Sequence, residues 1–252
     1  MAATPSPLVR RLRAFCDLDG EQLEAVDSLH AKAERFDAGR TVVFEGATIT
    51  RAVAVADGWL AQSRLLPDGR RQILGFLLPG DVVHWCHHPQ PIALWNIDCL
   101  TQARLVGIPP RSEWRSQRLA EALDVAAAVT DSFVYTGVAR LGRQSAYERI
   151  ALLLLELYDR LVEVGRASMN SFHMPLSQQV LAEALGLSIV HVNRILMQLA
   201  RDGRLERRHR TITIPDREAL AALVHYAPPV PLPRHEPERA APARPYLVAS
   251  VA

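Results

Sequence analysis

The chain has 252 residues, enough for one large or two ordinary domains, and 49% of them are apolar, enough for a substantial core. The formal net charge of +2 neither demands nor excludes a nucleic-acid partner. Three cysteines, Cys16, Cys86 and Cys99, form no CxxC pair, which argues against a disulfide framework or a zinc module.

The N-terminal stretch MAATPSPLVRRLRAF lacks the apolar core of a secretory signal. The longest apolar run, Ile150 to Leu157, is too short to span a membrane and carries Glu156. A cytoplasmic location and no membrane partner follow as expectations. Residues from Leu8 to about Lys32 read as short helices, with Phe15, Leu18, Leu23, Val26 and Leu29 at helical spacing. From Glu34 to Pro109 the texture changes. Glycines 39, 46, 58, 69, 75 and 80 punctuate short apolar or alternating runs, the signature of an all-β sandwich or barrel. Asp57-Gly58 and Asp68-Gly69 are hairpin-turn dipeptides.

Within this region His84-Trp85-Cys86-His87-His88 groups His84, Cys86, His87 and His88, side-chain types that bind metals or haem. No carboxylate completes a metal set there. The alternative is a solvated loop stopped by Pro89 and Pro91. Pro109-Pro110 ends the β region, and Arg111 to Gln117 reads as a short helix.

A long helix follows, from about Arg118 to Leu141. Leu119, Leu123, Ala126, Thr130, Phe133 and Gly137 recur in alternating steps of four and three. That heptad seam predicts a partner helix, hence a homodimer; packing against its own domain is the alternative. Ser145 to Val164 reads as a strongly apolar core helix, and 165–175 as a loop or short strand.

Ser177 to Asp202 reads as a helix-turn-helix. Ser177 caps the first helix, Gly186 makes the turn, and Ser188 caps a second helix whose inner face is Val192, Ile195, Leu196 and Leu199. His191, Asn193, Arg194, Gln198 and Arg201 occupy the other face, with chemistry suited to base edges and phosphates. Arg207-Arg208-His209-Arg210 followed by Thr211-Ile212-Thr213-Ile214 reads as a basic hairpin, a wing that contacts phosphates through Arg207, Arg208 and Arg210. From Ser188 to Arg210 six arginines face two acids, a local positive excess hidden by the near-neutral total. Asp216 to Val224 reads as a terminal helix. Seven prolines in the last 26 residues predict a disordered tail.

In this order the pieces resemble the Crp–Fnr family of bacterial transcription regulators, over roughly Leu8 to Tyr226. The carrying motifs are Phe44-Glu45-Gly46, Asp57-Gly58-Trp59, Leu66-Pro67-Asp68-Gly69-Arg70-Arg71, Phe76-Leu77-Leu78-Pro79-Gly80-Asp81 and the winged helix-turn-helix. The resemblance implies an α+β chain in four parts. A β-roll sensor with N-terminal helices spans 1–116, a dimerisation helix 117–143, a winged helix-turn-helix 144–226 and the tail 227–252. It also implies binding to double-stranded DNA as a homodimer reading a palindrome, with RNA polymerase a further partner, and no enzymatic activity. Ser188, Ile189, His191, Asn193 and Arg194 match the family's DNA-facing positions, with Arg194 at a base-contacting arginine and Ser188 at a phosphate-contacting cap; Ser177 and Gln178 at the start of the first helix are counted with the DNA-binding residues. Well-studied members carry an arginine and a glutamate where this chain has Ile189 and Val190, so its DNA site is expected to differ from the cyclic-AMP receptor consensus.

Cyclic-nucleotide-binding members hold the phosphate with an arginine-serine or arginine-threonine pair after a glycine-glutamate turn. Gly80-Asp81 opens the equivalent region here, yet no arginine or lysine lies between Arg71 and Arg104. A cyclic nucleotide is therefore not expected as cofactor. Cys16 alone cannot supply an iron–sulfur cluster. Two competing classes are a ligand-, haem- or metal-sensing β-roll in which DNA binding is secondary, and a metal-dependent cupin-type enzyme, which lacks the needed glutamate.

Overall fold

The computed structural model describes residues 4–84 and 91–228. Two short helices open the chain. α1 (Pro7–Phe15) is capped by Ser6, and α2 (Gly20–His30) begins in a capping box between Asp19 and Gln22. Eight strands follow: β1 (Glu34–Phe36), β2 (Thr41–Val43), β3 (Ala52–Asp57), β4 (Leu60–Leu65), β5 (Arg71–Leu77), β6 (Val82–Val83), β7 (Asn96–Cys99) and β8 (Ala103–Ile108). They form two antiparallel sheets, ordered β1-β8-β3-β6 and β2-β7-β4-β5. Val55, Leu60, Leu77, Ile97 and Leu105 fill the space between the sheets. The glycine punctuation has a direct cause at Gly58, which turns β3 into β4 at φ 90°. A Cβ there would stand 2.4 Å from the carbonyl oxygen of Gln102.

A single 3₁₀ turn (Arg111–Glu113), shorter than the helix expected over 111–117, leads to α3 (Gln117–Arg143), capped by Ser116. α4 (Ala146–Glu163) starts in a capping box between Ser145 and Glu148. Beyond it come β9 (Ala167–Ser168), β10 (Ser171–His173), α5 (Gln178–Leu185), α6 (Ile189–Arg201), β11 (Glu206–Arg208), β12 (Thr211–Thr213) and α7 (Arg217–Leu223). The last four strands make a third sheet, ordered β11-β12-β10-β9. No single described helix is long and apolar enough to cross a membrane.

The heptad seam of α3 packs within its own chain. Leu119, Leu123 and Ala126 are buried against Leu8, Val9 and Leu12 of α1. The Thr130 hydroxyl donates to the Ala126 carbonyl (2.9 Å) and accepts from the Val82 amide (3.4 Å). Phe133 lies under the Arg160 guanidinium, 4.0 Å from its ring centre. Gly137 faces β5, where a Cβ would meet the Leu74 carbonyl at 3.3 Å. Five of the six seam residues are buried within their own chain, and Gly137 is half-buried against β5. The spacing was real, but its partners are the N-terminal helices and the β-roll.

Buried charges join the modules. Asp81, at the end of the β5–β6 turn, bonds Arg11 of α1 (2.9 Å) and Arg160 of α4. Arg160 also bonds Glu156 (3.0 Å) and the Phe76 carbonyl (2.8 Å), and Glu156 bonds Arg140 of α3. Arg11, Asp81, Arg140, Glu156 and Arg160 are each less than a tenth exposed. Three cations are matched here by Asp81, Glu156 and the half-buried Glu163, which pairs with Arg11. Such a network is costly to bury and costlier to break.

Candidate nucleic-acid interface

The reading head is fixed by local chemistry. Ser177 Oγ accepts from the Val180 amide and Ser188 Oγ from the His191 amide, each at 3.2 Å, so both helices start at defined residues. Gly186 closes α5 in the left-handed region at φ 63°, and the chain turns by 102° into α6. Val192, Ile195, Leu196 and Leu199 are buried beneath α6. Two side chains of α4 hold the pair from below. Arg149 donates to the Leu185 carbonyl (3.1 Å), and Tyr147 donates to Asp202 (3.3 Å) just past α6. Neither was singled out from sequence, because their partners lie 36 and 55 residues away.

The outer face of α6 presents Asn193, Arg194, Gln198 and Arg201, all exposed, while His191 is half-buried at the edge. Three apolar residues share that face: Ile189 (49% exposed), Val190 (79%) and Met197 (55%). Met197 escaped the sequence reading, since the polar pattern of its neighbours gives no sign of it. Gln178 of α5 donates to Asn193 Oδ1 at 3.0 Å, which orients the asparagine amide.

β11 and β12 form the wing, pairing Arg207 with Ile212 and Arg208 with Thr211. Ile212 and Ile214 are buried, the alternation that anchors the hairpin. The Met174 amide donates to the Arg210 carbonyl (2.7 Å) and ties the wing tip to the end of β10. Arg207 Nε donates to the His209 carbonyl (3.4 Å).

The guanidinium groups separate into two classes. In the body of the protein Arg11, Arg71, Arg140, Arg160 and Arg217 are ion-paired. On α6 and the wing, Arg194, Arg201, Arg208 and Arg210 have no acidic partner among the described residues and point their charge to solvent. That is the electrostatics of a polyanion site.

Residues 33–112 match the cyclic nucleotide-binding domain, and residues 148–223 match the Crp-like helix-turn-helix domain. The nitrogen fixation regulation protein FixK of Bradyrhizobium diazoefficiens is 33% identical over 218 residues, covering 84% of this chain and 91% of its own length. The chain belongs to the Crp–Fnr family of transcription regulators. The transcriptional activator FnrL of Cereibacter sphaeroides is 28% identical, with 77% of this chain and 80% of its own covered. Among solved structures, FixK2 from Bradyrhizobium japonicum superposes with a TM-score of 0.65 at 29% identity, over 77% of this chain and 98% of its own. This Crp–Fnr protein is thus a transcription regulator with a β-roll sensor domain and a helix-turn-helix that binds DNA.

The residues of the sensor do not fit the nucleotide that gives the domain its name. Asp81 is committed to Arg11 and Arg160. Arg71 is held by Glu183 of α5 (2.8 Å), with Asp98 at 3.5 Å. No arginine or lysine follows until Arg104, and a phosphodiester would stand without a countercharge. The gap bounded by β5, α3 and α4 is only about 60 Å³. Of the histidine-cysteine cluster, Cys86, His87 and His88 lie outside the described residues. His84 lies in the left-handed region at φ 62°, and burial pulls its imidazole down to about 4. Burial pushes the Cys99 thiol up to about 11, and it raises Cys16 as well, so neither is primed as a thiolate.

Proposed function

We propose that this regulator acts as a homodimer. Each protomer sets α6 into the major groove of one half of a twofold-symmetric DNA site and lays its wing on the adjoining phosphates. The carrying observation is the set of unpaired arginines on α6 and the wing, set against the ion-paired arginines of the body. One helix reads only a few base pairs, so two related by a twofold axis are needed for selectivity, about one helical turn apart. Arg194 fits a guanine, and the Asn193 amide fits an adenine. Ile189, Val190 and Met197 offer contact to thymine methyls. No enzymatic step forms part of this reading.

The second protomer docks on the outer face of α3, opposite the buried seam. Ala128, Tyr135 and Gly142 recur there every seven residues, with Val138 between. Tyr135 is 74% exposed and Val138 65%, large apolar surfaces on an otherwise well-packed helix. Small Ala128, Ala139 and Gly142 admit close helix approach.

The roll carries a signal other than a cyclic nucleotide. Selection of bound fragments from a random DNA pool tests the reading. A palindromic consensus lost in Arg194→Ala is expected. Retention unaffected by that substitution sinks it.

A further inference from the structure

One cavity in the β-roll has no role in the reading above. It lies beneath the 44–51 loop, between β1, β2, β3 and β8, and holds about 250 Å³. Pockets for drug-sized ligands run to ~300–1,000 Å³, so this one suits something smaller. Phe36, Val42, Ile49, Val53 and Leu105 give it apolar walls.

Glu34, Thr48, Thr50 and Arg51 are exposed at the cavity's rim, and His84 is the half-buried polar residue of the lining. Its Nε2 is buried and has no hydrogen-bond partner among the described residues. An unpaired buried imidazole nitrogen is costly unless a ligand or a water satisfies it. The backbone adds to the cost, since His84 lies in the left-handed region, and strain of this kind gathers at ligand clamps.

The charges at the cavity cancel. Arg51 pairs with Glu34, both of them lining residues. The Arg51 side chain lies flat across Gly107 of β8, where a Cβ would stand 2.9 Å from Nη1. His84, held near 4, is neutral at physiological pH. Beyond this mutually paired Arg51 and Glu34, no other charged side chain is among the described residues of the lining, which favours an uncharged ligand.

The position suits signalling. His84 directly follows β6. The Val82 amide reaches Thr130 of α3, and Asp81 is bonded to Arg160 of α4. A ligand that draws on His84 therefore acts within three residues of both helices that carry the reading head.

We propose that this cavity is the effector site of the β-roll. Its ligand is a small uncharged molecule with an apolar body and one polar group that hydrogen-bonds to His84. The proposal rests on the reading that the roll receives a signal.

The test uses the full chain, with benzyl alcohol as neutral probe and benzoate as its charged match, followed by calorimetry. Saturable binding of one benzyl alcohol per chain is expected, weakened tenfold or more in His84→Gly, which removes the imidazole and suits the backbone. Benzoate should bind at least tenfold more weakly than the alcohol. No saturable binding to the wild type, equal binding to His84→Gly, or preference for benzoate overturns the assignment. If His84→Gly fails to fold, Val53→Phe fills the cavity while leaving His84, and binding retained in that variant overturns it as well. DNA retention by the same preparation separates the two claims. A protein that retains DNA but ignores the probe loses the cavity assignment alone. One that retains no DNA loses the functional reading.

Discussion

Asp81 and Arg160, 79 residues apart in the chain, form an ion pair inside the protein with each residue 3% exposed or less. Asp81 ends the turn that joins β5 to β6. Here it binds two arginines of its own chain, Arg11 and Arg160, and its second oxygen also accepts from the Leu78 amide at 2.7 Å. Through Arg160, Glu156 and Arg140 the same network reaches α4 and α3. Asp81 is thus a structural joint between sensor and reader.

Asp81→Asn leaves Arg11 and Arg160 buried with one carboxylate fewer. Removing one partner of a buried pair costs about 3–5 kcal/mol. Urea denaturation of the variant should show a loss of that size. Asp68→Asn, at the solvent-exposed pair with Arg70, should leave the denaturation midpoint essentially unchanged. Equal effects of the two substitutions would show that the network contributes nothing special.

Arg194→Ala and Arg208→Ala should weaken DNA binding in different ways. Loss of a base-reading arginine costs about 1–3 kcal/mol, roughly 5- to 150-fold, and relaxes preference at one base position. Loss of a wing arginine weakens all sequences alike and lowers the salt slope by about 1. Anisotropy titrations on matched and mismatched sites at several salt concentrations distinguish them. A sequence-independent effect of Arg194→Ala would remove it from the reading set.

The two faces of α3 predict opposite phenotypes. Tyr135→Glu with Val138→Glu places charge on the outer face and should give a folded monomer by sedimentation, with DNA affinity sharply reduced. Leu123→Ala cuts into the core shared with α1 and should cost about 2–5 kcal/mol while leaving the dimer contact itself untouched. A dimer that survives the first pair and dissociates with Leu123→Ala would restore the buried seam as the interface.

The contrast on α3 also marks what a sequence can show. The helix-turn-helix was legible because its determinants are local: caps at Ser177 and Ser188, a left-handed glycine at 186, apolar residues one turn apart. The β-roll was legible as glycine-punctuated strands, and β3, β4 and β5 follow that rhythm. Heptad spacing along α3 was equally clear, but spacing records only that a face is buried, not by which chain. Partners remote in sequence left no local trace. Arg149 reaches Leu185, Arg11 reaches Asp81, and Glu183 of α5 reaches Arg71 of β5, each pairing made by the fold. Met197, an apolar residue, lies on the exposed face of α6, where the polar pattern of its neighbours gives no sign of it.

His84 gives the stability of the fold a pH dependence of known sign. Burial holds its imidazole at about 4, below its ordinary value of 6.5, so the folded state prefers the neutral ring. The unfolded chain takes up a proton first as pH falls. The contribution is complete above about pH 6.5 and is lost progressively on acidification towards pH 4. Its slope is at most about 1.4 kcal/mol per pH unit. Carboxylates titrate in the lower part of the same range, so the informative quantity is the difference in unfolding free energy between wild type and His84→Gly. That difference should shift against the wild type as pH falls from 6.5 to 4 and stay level between pH 7 and 8. A difference independent of pH across the whole range would mean that the His84 ring is solvated, and the cavity would lose its polar group.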